Sequence, residues 1–251
     1  MARFFVSENS IENNTVTITG PDVKHISKVL RLDPGHYVSV LTGAGTEFEA
    51  VIREVTGKAV ICDIVGEKNI VTEPPVKVTL YQGLPKGDKM ELIIQKSTEI
   101  GVSRIVPMIC ERTVVKLDDK KASERRVRWQ RVAEEAAKQS RRTAVPEVAE
   151  PIRFDMVARE LKDEALAIMP WEEQKSGSIK HLLQSSLGKR DVAILIGPEG
   201  GFSPKEAEKA KEAGIQLVTL GPRIMRTETA GIVTAALVLY ELGDLGGLND
   251  G

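Results

Sequence analysis

Two turns near the C-terminus contain the residues whose types and spacing could do chemistry. Residues 197–201 follow an apolar, strand-like run, are rich in glycine and carry one carboxylate, Glu199. Residues 220–230 follow a second strand-like run and carry a guanidinium, Arg226. Both turns are therefore expected at the carboxyl ends of strands, where ligands approach the backbone in α/β proteins. The sequence predicts a binding site made of backbone groups, one acid and one base.

A helix is predicted directly after the first turn because its start and stop signals are both present. Ser203 is placed as the N-cap, Pro204 occupies the first helical position, and Glu206 completes an S-x-x-E capping box. Gly214 supplies a left-handed C-terminal stop. The first turn is therefore expected to join a buried strand to a helix, as in an α/β unit.

The first turn does not match the common nucleotide-binding fingerprints. It lacks the G-x-G-x-x-G pattern, and the next strand ends in Leu220-Gly221 instead of an Asp or Glu that would bind a ribose. It also lacks the lysine and the Ser or Thr of a P-loop. NAD and ATP are therefore disfavoured as ligands, and a generic nucleotide-binding α/β enzyme stays open as an alternative.

From residue 76 onward, strand-like and helix-like segments alternate. The strands are predicted over residues 76–81, 104–109, 164–169, 192–196 and 216–220, with helices over 88–100 and 120–139. Asp88 and Glu91 predict a capping box, and Gly101 a helix end. Such alternation predicts a parallel sheet covered on both faces. A last helix, over 229–242, is apolar nearly all round, so we expect it to be buried, either centrally or in a dimer interface.

The N-terminal part has a different pattern, in which short strand-like runs are separated by glycine turns. These runs cover residues 3–6, 15–19, 37–41, 46–55 and 58–65. One short helix is predicted over 22–30 with Asp22 as its cap. The close spacing of the strands predicts a small barrel. Composition changes over 67–76, which contains Pro74-Pro75, so we predict two domains, 1–72 and 73–251.

Composition is that of a soluble globular protein, with 41% hydrophobic residues and a formal net charge of −1. No signal peptide or membrane span is apparent, and we expect a cytoplasmic protein. Cys62 and Cys110 lie in apolar runs, which indicates buried free thiols. Neither they nor the histidines have metal-ligand spacing, so no metal is expected. Residues 116–142 hold ten Lys or Arg against five acids, which is compatible with a polyanion partner and equally with a solvated helix face.

Six segments of the chain carry a resemblance to a known family. They are residues 84–90, 95–102, 111–116, 134–142, 196–203 and 220–230. Arg3-Phe4-Phe5 and Val29-Leu30-Arg31-Leu32 in the first domain fit as well. In this order, and over nearly the whole chain, the segments resemble the 16S rRNA uridine-N3 methyltransferase family (RsmE) of SPOUT-type knotted methyltransferases.

The resemblance implies both a fold and a cofactor. The C-terminal α/β domain would be a parallel-sheet methyltransferase domain tied in a trefoil knot, and the N-terminal domain a PUA-like RNA-binding β-barrel. The family also implies a homodimer that binds S-adenosyl-L-methionine. The implied cofactor residues lie mostly in the two turns and are Met169, Ile196, Gly197, Pro198, Gly200, Gly201, Leu220, Gly221, Ile224, Met225, Thr229 and Ala230.

The implied reaction is methylation of N3 of a specific uridine in 16S rRNA, with the assembled small ribosomal subunit as substrate. The reaction must remove the N3 proton and stabilise charge on O2 and O4. Glu199 is the candidate proton acceptor or base-orienting group, or else a carboxylate that complements a helix dipole. Arg226 is the candidate for oxyanion or phosphate binding, or else the ion-pair partner of Glu228 or Glu199. Thr227 or Thr229 is expected to cap the last helix rather than to act in catalysis.

RNA contacts are expected from basic residues of both domains. The predicted set is Arg3, Lys24, Lys28, Arg31, Lys86, Arg112, Arg141 and Arg142.

Two other functions remain as rivals to this one. One rival is a knotted methyltransferase that acts on another RNA atom, such as a ribose 2′-hydroxyl of tRNA, although the PUA-like N-terminus and residues 84–88 argue against it. The other is a non-catalytic RNA-binding protein of the same fold, which cofactor binding would distinguish from an enzyme.

Overall fold

The computed structural model describes residues 1–43, 45–68, 72–115, 118–161 and 166–247. Lys116 of the basic run, residues 164–165 of a predicted strand and residues 69–71 of the predicted boundary lie outside these ranges. The chain divides into two compact units. Unit 1 contains Met1–Glu73 and Ala137–Val145, and unit 2 contains Pro74–Ala136 and Pro146–Gly251.

Unit 1 is built on a six-stranded sheet with the order β1-β4-β5-β6-β3-β2. Its strands are β1 (Ala2–Phe5), β2 (Ile11–Glu12), β3 (Thr15–Thr19), β4 (Tyr37–Leu41), β5 (Glu47–Val55) and β6 (Ala59–Lys68), with a 3₁₀ turn over Glu8–Ser10. β1 pairs with β4 in parallel, and the other neighbours pair antiparallel. Side chains on one face, among them Phe4, Val16, Val38 and Ile52, form its core. All five predicted strands are present.

The helical segment after β3 differs from the single helix predicted over residues 22–30. A short helix α1 (Pro21–Lys24) leads into a π-helix (His25–Leu30), which ends at Arg31 with a left-handed φ of +52°. The N-cap is Gly20, so the prediction that Asp22 caps this helix was wrong. Proline fits the first helical position because it has no N–H to leave unsatisfied and its φ is already helical. The helix therefore begins before Asp22.

A partly buried ion pair joins Ala137–Val145 to the rest of unit 1. The Arg142 guanidinium, whose side chain is 5% exposed, bonds the Glu73 carboxylate with an Nη2–Oε2 distance of 2.5 Å. The same carboxylate accepts hydrogen bonds from the backbone N–H groups of Thr143 and Ala144, each at 3.0 Å. Burial raises the pKa of the Glu73 carboxyl, but the Arg142 contacts and these bonds outweigh it, so the pKa lies below its ordinary value. The predicted boundary at 72/73 did not include this segment in the first domain.

Unit 2 contains a seven-stranded sheet with the order β10-β8-β7-β12-β11-β13, and β9 pairs with β8. Its strands are β7 (Lys77–Gly83), β8 (Arg104–Ile109), β9 (Glu147–Val148), β10 (Ile152–Arg153), β11 (Leu166–Pro170), β12 (Asp191–Ile196) and β13 (Gln216–Val218). Every pairing is parallel among the described residues. The predicted parallel sheet is therefore confirmed, and all five predicted strands are present.

The helices of unit 2 test the predicted caps. They are α2 (Lys89–Ile100), α3 (Asp119–Gln139, whose end from Ala137 belongs to unit 1), α4 (Phe154–Glu160), α5 (Ile179–Gln184), α6 (Pro204–Glu212) and α7 (Thr227–Leu242). The capping box of α6 is confirmed, because Ser203 Oγ accepts from the Glu206 N–H and Glu206 Oε2 accepts from the Ser203 N–H. The box predicted for α2 was wrong. Asp88 is the N-cap but makes no side-chain capping bond, and Glu91 pairs with Arg128 at 2.6 Å instead.

α7 begins earlier than predicted and is buried on one side. Its N-cap is Arg226, so neither Thr227 nor Thr229 caps it, and the Thr227 hydroxyl bonds another loop. α7 packs against α2, β7 and β12. Leu237 is 38% exposed and Tyr240 is 67% exposed, so central burial of α7 on nearly all sides was wrong, and burial in a dimer interface stays a prediction. None of the described helices combines the length and the apolar character of a membrane span.

Candidate functional site

A cavity of about 910 Å³ lies beside the loops that follow β11, β12 and β13. Residues 197–201, which we name the glycine turn, form one wall through Gly197, Pro198, Glu199 and Gly201. Residues 219–226, which we name the α7 loop, form a second wall, and residues 170–175 after β11 contribute a third. The cavity is thus at the carboxyl ends of parallel strands, where open α/β sheets bind ligands.

Most of the predicted cofactor residues line this cavity. Those that do are Ile196, Gly197, Pro198, Gly201, Leu220, Gly221, Ile224, Met225 and Ala230. Met169 is fully buried in the core, and the next residue, Pro170, lines the cavity in its place. Gly200 packs against Arg112, and Thr229 is exposed on α7; neither is among the lining residues. The structure therefore brings both predicted turns together around one space.

Close backbone packing explains the glycines at this site. A Cβ built on Gly197 would lie 3.0 Å from the carbonyl carbon of Gly201, and Gly201 itself has a left-handed φ of +66°. Gly83, at the end of β7, is still more restricted, because its Cβ would lie 2.4 Å from the Pro198 nitrogen. No sequence motif points to Gly83. Its only signal was a glycine at the end of a strand.

Glu199 lines the cavity and is bound to the loop that precedes α2. Its Oε1 accepts hydrogen bonds from the Lys86 N–H and from the Lys89 ammonium, each at 3.0 Å. Partial burial raises the pKa of the Glu199 carboxyl, but these bonds and one from its own backbone N–H outweigh it, and the pKa lies below its ordinary value. Glu199 is therefore a carboxylate at neutral pH.

Lys89 lies between two carboxylates at the start of α2. Its Nζ is 3.0 Å from Glu199 Oε1 and 3.5 Å from Glu228 Oε2. The bond to Glu199 raises the pKa of the Lys89 ammonium, and Glu228 raises it further. Lys89 also lines the cavity, yet no pattern within residues 84–90 distinguishes it from the other polar residues there.

Arg226 lines the same cavity at the end of the α7 loop and is exposed. It forms no ion pair with any residue that the structure describes. Pairing with Glu228 or Glu199 was the alternative left by the sequence. It is not found, and Lys89 contacts both carboxylates instead. The Arg226 guanidinium is thus free to bind an anionic ligand.

The third wall was not anticipated. It contributes Pro170, Trp171, Glu172, Gln174 and Lys175 to the cavity. The sequence predicted a strand ending nearby, but no motif marks the loop that follows it. Phe202, Thr219, Pro222, Arg223 and Thr227 complete the lining residues that the predicted cofactor set left out.

Six of the basic residues predicted to bind RNA are exposed. They are Lys24, Lys28, Arg31, Lys86, Arg112 and Arg141. Arg112 also supports the glycine turn, because its Nη1 donates to the Gly200 carbonyl oxygen at 2.8 Å. This contact adds a structural role that the sequence did not indicate.

Arg3 and Arg142 are placed differently, since each is paired with a carboxylate inside unit 1. The Arg3 side chain is 16% exposed and pairs with Glu47, whose side chain is 4% exposed. Arg142 likewise forms an ion pair with Glu73. A phosphate that replaced either carboxylate would leave that carboxylate charge unpaired, which is costly. Each arginine therefore makes a structural contact within unit 1, and its charge is already paired with a carboxylate.

Both cysteines lie outside the lining of this cavity. Cys62 and Cys110 are buried free thiols, as predicted. Burial raises the pKa of the Cys62 thiol to about 11, with a smaller effect of Asp63, and burial raises the pKa of Cys110 as well. Within the described part of the chain, no group of three or more His, Cys, Asp or Glu could hold a metal ion.

Comparison with known proteins gives the family. Residues 72–239 match a family described as an RNA methyltransferase domain, and residues 18–65 match one described as an RNA methyltransferase PUA domain. Ribosomal RNA small subunit methyltransferase E of Bacillus subtilis (strain 168) is 38% identical over 248 residues, covering 96% of this chain and 97% of that protein. The chain belongs to the ribosomal RNA small subunit methyltransferase E family.

Other members of the methyltransferase E family agree with this assignment. The Synechocystis enzyme is 35% identical over 238 residues, covering 94% of this chain and 76% of that protein. The crystal structure of the Neisseria gonorrhoeae enzyme, bound to S-adenosyl methionine, has a TM-score of 0.85 and 31% identity, and covers 97% of this chain and 99% of that one. The predicted family is confirmed, as are the PUA-like N-terminal domain, the parallel-sheet methyltransferase domain and the enzyme class.

Proposed function

We propose that this protein transfers a methyl group from S-adenosylmethionine to N3 of a uridine in 16S rRNA, acting in the cytoplasm. The single observation that carries the proposal is the cavity at the glycine turn and the α7 loop, whose walls carry both cations and carboxylates beside backbone and apolar groups. Its relatives are named for the small-subunit ribosomal RNA, and the Neisseria relative holds S-adenosyl methionine.

The residues of the cavity fit this cofactor. A volume of about 910 Å³ is within the range of small-molecule sites, roughly 300–1,000 Å³. The glycine turn offers a backbone surface where a Cβ on Gly197 would intrude, and Ile224 and Met225 offer apolar contact. Carboxylates at Glu172 and Glu199 suit a ligand that carries a sulfonium charge.

When bound, the cofactor supplies an electrophilic methyl group, and the protein must manage the proton and the charge of the base. We propose that Glu199 orients the uracil edge or accepts the N3 proton. Its lowered pKa makes it a weak base and favours the orienting role. Arg226, which is exposed on the cavity wall, would balance the negative charge on O2 or O4, or bind an RNA phosphate.

We also propose that the exposed basic residues Lys24, Lys28, Arg31, Lys86, Arg112 and Arg141 contact RNA, with the assembled small subunit as the substrate.

We further propose a homodimer and a trefoil knot. The homodimer is supported by Leu237 and Tyr240, apolar side chains exposed on α7. A trefoil knot is supported by the path of the chain. α7 follows the edge strand β13, yet it packs on the central strands β7 and β12.

The test uses purified protein, labelled S-adenosylmethionine and small ribosomal subunits from cells that lack the activity. Nucleoside mass spectrometry of the product rRNA should show 3-methyluridine. Methyl transfer to another nucleoside would overturn the N3 assignment. Cofactor binding without transfer to this rRNA would point to another RNA, such as tRNA. No cofactor binding would leave a non-catalytic RNA-binding protein.

A further inference from the structure

A buried chain of hydrogen bonds joins β7, the glycine turn and the start of α7. The Gln82 amide Nε2 donates to Thr227 Oγ1 at 2.8 Å, and Thr227 Oγ1 donates to the Gly197 carbonyl oxygen at 2.6 Å. Gln82 is 0% exposed and Thr227 is 6% exposed. The chain therefore connects the two loops that form the cavity, and both of its side chains are shielded from water.

The acceptors around Gln82 define the orientation of its amide. Because Thr227 gives its only proton to the Gly197 carbonyl, its oxygen can only accept from Gln82. The Gln82 Nε2 also donates to the Gly83 carbonyl oxygen at 3.1 Å. Both contacts require the NH₂ group on this side. The Gln82 Oε1 is consequently left buried without a hydrogen-bond partner among the described residues.

Two glycines leave the space that this chain of hydrogen bonds needs. A Cβ on Gly231 of α7 would lie 2.8 Å from Gln82 Oε1, so the absence of a side chain there makes room for the amide. A Cβ on Gly83 would lie 2.7 Å from the Gly197 carbonyl carbon. The peptide that accepts the Thr227 bond is thus also packed directly against the end of β7.

We propose that Gln82 and Thr227 are positioning residues that hold the glycine turn against the start of α7, and so shape the cofactor cavity before any ligand binds. The two cavity loops are far apart in sequence, and the Thr227 hydroxyl bonds one loop from the first residue of the helix that follows the other. Their role is to reduce the ordering that a ligand would otherwise have to impose. This inference rests on the proposed function.

The test compares three substitutions. Thr227→Val keeps the shape of the side chain and removes both bonds, whereas Thr227→Ser retains the hydroxyl. Thr234→Val is the matched control, because Thr234 is 0% exposed on the same helix and its hydroxyl bonds only the Ala230 carbonyl oxygen, at 2.7 Å, among the partners described. The readouts are the Kd for S-adenosylmethionine by calorimetry, and hydrogen exchange of residues 197–202 in the ligand-free protein.

Thr227→Val should weaken cofactor binding about tenfold and speed exchange of the glycine turn about tenfold. Thr227→Ser and Thr234→Val should behave as wild type in both measurements. A folded Thr227→Val protein with wild-type affinity or with wild-type exchange would overturn the inference. If that variant does not fold, Gln82→Met takes its place. It removes the Gln82–Thr227 bond and leaves the Thr227–Gly197 bond, so both changes should have the same direction and be smaller.

The two measurements separate this inference from the proposed function. If the wild-type protein does not bind S-adenosylmethionine, the proposed function fails, whereas exchange of the glycine turn in the ligand-free protein still reports on the bonds. If binding occurs and only the exchange result is absent, the positioning role fails and the function stands.

Discussion

Substitution of Gly83 by alanine should displace the glycine turn. The new Cβ would lie 2.4 Å from the Pro198 nitrogen and 2.7 Å from the Gly197 carbonyl carbon. Both neighbours are backbone atoms, so a rotamer change cannot relieve the contact. Reaching ordinary contact distance requires a movement of about 1 Å, and overpacking of this kind costs roughly 1–3 kcal/mol. Because the φ of Gly83 is not left-handed, the substitution tests this contact and not backbone strain.

The expected magnitude follows from two opposing effects. Alanine restricts the unfolded chain, which stabilises the folded protein by about 0.4–1 kcal/mol. This offsets part of the overpacking cost, so the free energy of unfolding should fall by about 1–2 kcal/mol. The displaced turn is a wall of the cofactor cavity, so we expect S-adenosylmethionine binding to weaken about tenfold. Urea unfolding and calorimetry measure the two quantities.

The matched control for Gly83→Ala is Gly57→Ala. Gly57 lies in the turn between β5 and β6, has no heavy atom within 4 Å of a built Cβ, and is not left-handed. This variant should be as stable as wild type or slightly more stable, with unchanged cofactor affinity. A Gly83→Ala protein with wild-type stability and affinity would refute the packing argument, because the new Cβ would then be accommodated at no measurable cost.

Three further predictions concern the carboxylates and the exposed cations. Glu199→Gln should lower turnover and spare cofactor binding, as measured by kcat and by calorimetric Kd; normal turnover would remove Glu199 from the mechanism. Folding lowers the pKa of Glu73 from its ordinary 4.5, so its stabilisation is present above pH 4.5 and is lost as pH falls through the folded pKa. Glu73→Gln should flatten the acid limb of a plot of unfolding free energy against pH, and an unchanged limb would contradict this. Lys28→Ala combined with Arg31→Ala should weaken RNA binding and lower the slope of log Kd against log salt by about one for each phosphate that is no longer neutralised; a salt-independent wild-type affinity would show that phosphates are not the ligand.

Local signals predicted much of this fold. The capping box at Ser203 and the stop at Gly101 depend on residues within one helical turn, and the structure confirms both. The two turns were identified because each follows an apolar run. The cap assigned to Asp22 failed because proline at the first helical position was the stronger signal.

Long-range contacts could not be predicted in this way. Lys89 contacts Glu199 across 110 positions, and Gln82 contacts Thr227 across 145 positions. No periodicity or motif in one sequence specifies such pairs. The same is true of the pairing between Glu73 and Arg142, which are 69 positions apart. The sequence therefore identified the loops of the site, whereas the contacts that hold them required the structure.

The assignment of Ala137–Val145 to unit 1 has a consequence for synthesis on the ribosome. Domains generally fold as they emerge, the N-terminal one first. Here Glu73 emerges before Arg142, and Pro74–Ala136, which belongs to unit 2, is made in between. A nascent chain that ends shortly after residue 73 therefore contains unit 1 without Ala137–Val145. Completion of the N-terminal unit must wait until part of the second unit has been translated.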